Sequence, residues 1–303
     1  MREEEVIDLI KNRLKMKGRG VVVGPGDDTA VLAYDRNNYL LLTTDCVVEN
    51  VHFTRKQATL FQIGRKAMAV NLSDIAAMGG VPLYALASVG LPKGFSRREI
   101  NELLNGMQEM CGAYGFDLVG GNLTKSRFLF VDISLAGKVE KKYLKLRSGA
   151  NPGDLIFVTG RLGGTLVKKH LNAVPRIEES RKIIRSVRVT AMMDISDGIS
   201  SDLTRMAKAS GTGFVIELDS IPVSEDAVKI SRTGEERVSH ALNDGEDYEL
   251  LFTVPVSEKQ KVPVGIGCLP VTCIGRMTRE KKYLGIWSNG RKISIKPSGY
   301  SHF

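Results

Sequence analysis

Apolar and small residues run almost without interruption from Phe61 to Met78, Ala67, Ala69, Val70, Leu72, Ile75, Ala76 and Ala77 among them, and stop at Gly79-Gly80. The pattern predicts a helix packed on most of its surface, starting near Gln57 and ended by the glycine pair. Within it Asn71 and Asp74 are three residues apart and share one face. A carboxylate in such surroundings needs a partner, because an isolated buried charge is very costly. The nearest basic residues, Arg65 and Lys66, are more than a turn away. A metal ion therefore competes with a plain cap or turn role for Asp74.

The other elements follow from the same patterning. Residues 2–15 read as an amphipathic helix, acidic at its start (Glu3–Glu5) and basic toward its end (Lys11, Arg13, Lys15). Val21–Val23 leads into the turn Gly24–Thr29. Ala30–Ala33, Tyr39–Thr44, Leu83–Val89, Asp117–Val119 and Leu129–Gly137 read as strands, and Arg98–Tyr114 as a second long helix. The basic stretch Lys138–Arg147, followed by the turn-rich Ser148–Asp154, marks a boundary between an N-terminal domain (1–137) and a C-terminal domain (138–303). Beyond it come strands at Leu155–Thr159 and Phe214–Leu218, helices near Thr165–Leu171 and Glu178–Ser186, and a turn at Asn243 feeding a strand that ends at Thr253. Helices and strands mix without strict βαβ alternation, so the expected class is α+β.

Composition narrows the picture. At 303 residues the chain can bury two cores, and 43% hydrophobic with 25% charged residues is ordinary for a globular protein. No apolar run approaches the roughly 18–20 residues of a membrane span, and M-R-E-E-E is not a signal peptide, so a cytoplasmic protein is expected. Cys46, Cys111, Cys268 and Cys273 lack metal-knuckle spacing and read as reduced thiols, and the four histidines form no zinc motif. The net charge of +9 is spread out. It reads first as solvated surface, next as attraction for small anions, and only then as a nucleic-acid footprint, since no DNA-reading motif accompanies it.

The candidate chemistry lies in five acidic motifs: Asp27-Asp28, Asp45, Asp74, Asp194 with Asp197, and Asp244-Gly245-Glu246-Asp247. Each sits where an element gives way to a turn. Adjacent carboxylates raise one another's pKa unless a cation neutralises them, and hard cations such as Mg²⁺ take oxygen ligands together with substrate phosphates. Thr43 and Thr44 add neutral oxygens beside Asp45. Gly24–Gly26, Gly120-Gly121 and Gly163-Gly164 offer backbone N–H groups to phosphate oxygens. None is a P-loop or a dinucleotide fingerprint, and the protein-kinase signatures are absent. Alternation through Tyr248 and Leu250 sets Glu246 on their side of a strand and Glu249 on the other. Read alone, His52 is a turn histidine, Tyr114 is equally a helix-end core residue or a ligand-facing one, and Arg147 is equally one more solvated charge or a functional one.

Taken together and in order, G-D-D-T-A (Gly26–Ala30), T-T-D (Thr43–Asp45), N-V-H-F (Asn50–Phe53), A-V-N-L-S-D-I-A-A-M-G (Ala69–Gly79), D-I-S-D-G (Asp194–Gly198), G-E-D-Y-E-L (Gly245–Leu250) and the terminal G-Y-S-H-F resemble the thiamine-monophosphate kinase family. That family belongs to the aminoimidazole ribonucleotide synthetase-like ATP-binding superfamily. The resemblance implies two α+β domains, the N-terminal ones pairing in a homodimer that closes a β-barrel. It implies ATP-dependent phosphorylation of thiamine monophosphate to thiamine diphosphate by direct in-line transfer with several Mg²⁺ ions. By position, Asp28, Thr43, Thr44, Asp45, Asp74, Asp194 and Asp197 would be metal ligands. Tyr114, Gly121, Asn122, Arg147 and Ser196 would meet ATP, and His52, Glu246 and Tyr300 the thiamine phosphate. No general base is required, and neither nucleic acid nor membrane is an expected partner. The family's G-G-D-T is here Gly120-Gly121-Asn122-Leu123, which keeps an amide oxygen but loses a charge. Another ATP-using member of the superfamily, or a nucleotide- or thiamine-phosphate-binding sensor without catalysis, is the alternative.

Overall fold

The apolar run becomes the central helix of the molecule. In the computed structural model, which describes residues 3–14, 18, 20–167 and 169–299, it spans Leu60–Ala77 (α2, following α1 at Glu3–Arg13). Thr59 caps it: its side chain accepts from the Gln62 N–H, and the Gln62 side chain reaches back to the Thr59 N–H. The chain leaves through Gly79 at φ +74°, a left-handed turn that a glycine adopts without strain. Residues on every side of α2 are buried, as expected of a helix that is apolar all round.

α2 lies on one face of a six-stranded sheet formed by β1 (Val21–Val23), β2 (Ala30–Ala33), β3 (Asn38–Val48), β4 (Val81–Leu91), β5 (Asp117–Lys125) and β6 (Phe130–Glu140), in the order β1-β2-β3-β6-β4-β5. Neighbours are antiparallel except β4 and β5, which run parallel through the crossover helix α3 (Arg97–Tyr114). α2 and α3 touch through glycines: a Cβ on Gly64 would stand 2.2 Å from the Leu103 carbonyl oxygen, and one on Gly106 2.0 Å from that of Phe61.

The second half contributes β7 (Leu155–Thr159), α4 (Ile177–Ser186), β8 (Ala191–Asp194), α5 (Ile199–Ser210), β9 (Gly213–Glu217), α6 (Glu225–Ile230), α7 (Gly234–Asn243), β10 (Leu250–Val254), β11 (Gly265–Ile266), β12 (Leu269–Thr278), β13 (Tyr283–Ile286) and β14 (Lys292–Ser294). Its strands order as β14-β13-β9-β12-β7-β10-β8, with β11 paired to β12. The core around α2 continues into this half through Ile183, Ile184, Met192, Leu250 and Phe252. A second core packs α5 on the far side of that sheet, around Leu203, Met206, Phe214 and Ile274.

Three expectations shift. β6 runs to Glu140, past the boundary expected at residue 137. Thr165–Leu171, expected as a helix, forms only short 3₁₀ turns at Thr165–Val167 and Lys169–Asn172, too brief for an α-helix to propagate. The strand expected to stop at Val119 carries straight through Gly120-Gly121-Asn122 to Lys125, because pairing with β4 satisfies its backbone.

Candidate active site

Three acidic motifs meet at the C-terminal end of α2. Asp28 comes from the turn before β2, Asp74 from the last turn of α2, and Asp194 from the end of β8. One carboxylate oxygen of each lies within 4.8 Å of the others. The residues around Asp74 on α2 pin the neighbouring elements: the Ser73 hydroxyl donates to Asp194 Oδ2 at 2.6 Å, and Asn71 Oδ1 accepts from the Asp45 N–H at 3.0 Å. The Thr43 hydroxyl donates to Asp74 Oδ2 at 2.5 Å. Arg147 comes from the stretch joining the two halves. It donates to Asp28 Oδ1 from Nε at 2.9 Å and from Nη2 at 2.5 Å, and its backbone N–H donates to Asp27 Oδ1 at 3.1 Å.

This crowding makes the carboxylates hard to ionise. Burial, then the negative charges of Asp45, Asp194 and Asp28, push Asp74 well above the usual carboxylate range. Burial and then Asp28 do the same to Asp194. Burial also raises Asp28, although Arg147 opposes it. Asp45, on β3 beside the triad, keeps much of its surface accessible. Desolvation by the surrounding protein, then Asp197 and Asp132, still bring it to about 6. Among the described residues, one acceptor of the triad, Asp28 Oδ2, is buried with no hydrogen-bond partner. A buried carboxyl oxygen left unpaired is costly, and three convergent carboxylates with a neighbouring threonine hydroxyl are the donor set of a hard cation, whose charge would also favour their ionised forms. These residues fit Mg²⁺.

Beside the triad, Asp197 is held by Arg205, which also donates to Asp202 Oδ1 at 2.7 Å. The Ser196 carbonyl accepts from the Glu246 N–H at 2.6 Å, laying the Asp194–Gly198 loop on the Asp244–Asp247 loop. Gly245 allows that contact: at φ +70° a Cβ would stand 2.8 Å from the Ser196 oxygen.

A second polar cluster forms further toward the start of α2. Lys66 is fully buried and donates to Glu246 Oε1 at 2.6 Å and to the His52 carbonyl at 2.8 Å. His170 Nδ1 lies 2.9 Å from Lys66 Nζ and 3.2 Å from Glu246 Oε2. Burial works against an ionised Glu246, but the hydrogen bond from His170 and the charge of Lys66 outweigh it and hold its pKa below the usual range. Glu246 and Tyr248 have φ near +53° and +52°. Both therefore stand in a left-handed loop, and the alternation expected through Tyr248 begins only at Leu250. Glu249 serves the fold: it accepts from Arg176 Nη2 at 2.5 Å and from the Thr159 hydroxyl at 2.7 Å.

Several expected residues stand apart from the triad. Thr44 faces the opposite side of β3 from Thr43, and its hydroxyl donates to Asp132 Oδ1 at 3.0 Å. Asn122 pairs with Ser88, which pairs with Asp132, so all three share that open face. Gly121 is reached from Asp45 through Ile133 and Ala87, three strand spacings or roughly 14 Å along the sheet. The missing charge at Asn122 thus lies outside the Asp28–Asp74–Asp194 cluster. The Tyr114 hydroxyl donates to the Pro175 carbonyl at 3.1 Å. Tyr300 lies outside the described residues. Gly163 and Gly164 are not open to a ligand: their N–H groups donate to Asp247 and Asp244 of the chain itself.

The fold and the acidic junction between two mixed sheets define a class. The model of the AIR synthase related protein N-terminal domain matches residues 26–139, and that of the C-terminal domain residues 151–287. A curated thiamine-monophosphate kinase of Buchnera aphidicola subsp. Schizaphis graminum is 36% identical over 99% of this chain and 98% of its own. One of Rhodopirellula baltica is 37% identical over 93% and 92%. Among solved structures, AaThiL complexed with AMPPCP and TMP matches with a TM-score of 0.84 and 33% identity, covering 100% of this chain and 97% of that one. The chain belongs to the thiamine-monophosphate kinase family and is a kinase of the AIR synthase related class.

Proposed function

We propose that the protein transfers the γ-phosphoryl group of ATP directly, in line, onto a phosphate oxygen of thiamine monophosphate, giving thiamine diphosphate and ADP. The observation that carries the reading is the triad Asp28, Asp74 and Asp194 with its orphaned Oδ2. A phosphate monoester is already largely anionic near neutral pH, its second pKa being about 6, so the acceptor needs no base. The obstacle is repulsion between two polyanions. Bound Mg²⁺ supplies charge neutralisation and a template for both phosphates. Asp28, Asp74 and Asp194, joined by Asp45 and Asp197, would hold several such ions. Thr43 orients Asp74, Ser73 orients Asp194 and Arg147 orients Asp28, so the donors are preorganised and positioning supplies much of the rate. His52 and Glu246 would take the thiamine phosphate. Ser196, Arg147 and, further along the sheet, Gly121 and Asn122 would line the nucleotide.

The chain is also read as two domains joined after β6, working as a homodimer. Leu42, Tyr84 and Leu86 are exposed on the sheet face away from α2, where a second copy would close the barrel. The test of function is incubation with ATP, Mg²⁺ and thiamine monophosphate, with free thiamine as control. ADP and thiamine diphosphate should appear one-to-one and only with the monophosphate. Saturable nucleotide binding without product would overturn the assigned acceptor.

A further inference from the structure

Lys66 is a lysine buried completely, among the bulkiest fully buried side chains of the described residues, and it belongs to no part of the proposed phosphoryl-transfer machinery. Burying an ammonium group is costly. Buried ion pairs are often no more stabilising than apolar residues of similar volume, so stability alone gives little reason for this lysine. Its hydrogen bonds cross the junction of the two halves. From α2 it reaches the His52 carbonyl in the loop after β3 and Glu246 in the loop after α7, and it lies against His170 in the 3₁₀ turn Lys169–Asn172. Glu246 and Tyr248, both non-glycine, hold left-handed backbone conformations, which persist only where surrounding contacts over-determine them. The Glu246 side chain keeps 17% of its surface accessible. Each carboxylate oxygen has lone pairs beyond those taken by Lys66 and His170.

We propose that Lys66 is a positioning residue for the acceptor substrate: it clamps Glu246, with His170 on the other oxygen, and fixes the His52 loop, so that both arms of the thiamine-phosphate site are set by one buried ammonium group. The proposal rests on the function proposed above. Without the lysine, Glu246 keeps its charge but loses its fixed direction, and the loss falls on the acceptor and not on the nucleotide.

The test is calorimetric binding of thiamine monophosphate and, separately, of an ATP analogue with a non-hydrolysable β–γ bridge. The proteins are the unaltered chain, Lys66→Met, Glu246→Gln and the double variant. Lys66→Met should weaken thiamine monophosphate about tenfold or more and leave the analogue within about twofold. In the Glu246→Gln background it should add clearly less than it does alone, because its effect through that carboxylate is already lost and only its hold on the His52 loop remains. Equal weakening of both ligands, no weakening of the acceptor, or a full additional factor in the Glu246→Gln background would overturn the proposal. If Lys66→Met does not fold, His170→Gln, altered at a half-buried position, takes its place with the same selective loss expected. Acceptor binding by the unaltered chain without turnover would remove the kinase function and leave the clamp to be judged on these affinities. Absence of acceptor binding would remove both.

Discussion

At the scale of residues, the triad is built against its own electrostatics. Asp74 is surrounded by carboxylates that each prefer it neutral. Asp74→Asn should therefore fold as well as the unaltered chain or better, yet lose about a thousandfold in turnover. Mg²⁺ should raise the melting temperature of the unaltered chain and not that of the variant; turnover near the unaltered level would remove Asp74 from the metal site. The same crowding predicts a pH dependence. Burial first, then Asp28 for Asp27 and Asp197 for both Asp45 and Asp202, lift the folded-state pKa values from the ordinary 3.8 to about 6, 6 and 7. Between these values the folded chain binds more protons than the unfolded one. Their contribution to stability is fully present below about pH 4 and is lost as pH rises through 6 to 7. In chelator the melting temperature should fall from pH 5 to pH 8, and saturating Mg²⁺ at pH 8 should recover it. A flat profile in chelator would show that these carboxylates do not set the slope.

At the scale of elements, α2 is the part on which both polar clusters depend. It presents Lys66 to one and Asn71, Ser73 and Asp74 to the other. Its seat on α3 is set by Gly64 and Gly106, each facing a backbone oxygen closer than any Cβ allows. Gly64→Ala should force the helices apart and cost about 1–3 kcal/mol of stability, seen as a lower urea midpoint, with activity falling because Asp74 moves with the helix. An unchanged midpoint would mean that the contact relaxes without displacing α2. The helix itself was legible in its unbroken apolar run and closing glycines. The role of Lys66 was not, since its partner Glu246 is 180 residues away and reasoning along a single helix looks only a turn in either direction. A lysine on the same side as Ile63, Ala67 and Val70 was nevertheless a signal that its charge is buried.

For the whole molecule, the unpaired edge of β5 and the exposed face bearing Leu42, Tyr84 and Leu86 are surfaces that sheet proteins cover or blunt. The unaltered chain should sediment as a dimer and Tyr84→Lys combined with Leu86→Lys as a monomer; a dimer in both would place the interface elsewhere, and a monomer in both would remove the proposed homodimer. The sequence by itself determined the α+β class, most elements and the ordered acidic motifs, because periodicity, caps and turn residues are local properties of the chain. It also carried the resemblance to a kinase family. Only the tertiary structure decided which carboxylates converge. Asp28, Asp74 and Asp194 meet because α2 threads between two sheets, whereas Thr44 and Asn122 turn to the open face because side chains alternate along a strand. It likewise decided that Arg147 serves Asp28 and Lys66 serves Glu246, since a buried charge takes whichever partner the packing brings within reach, however distant in the chain.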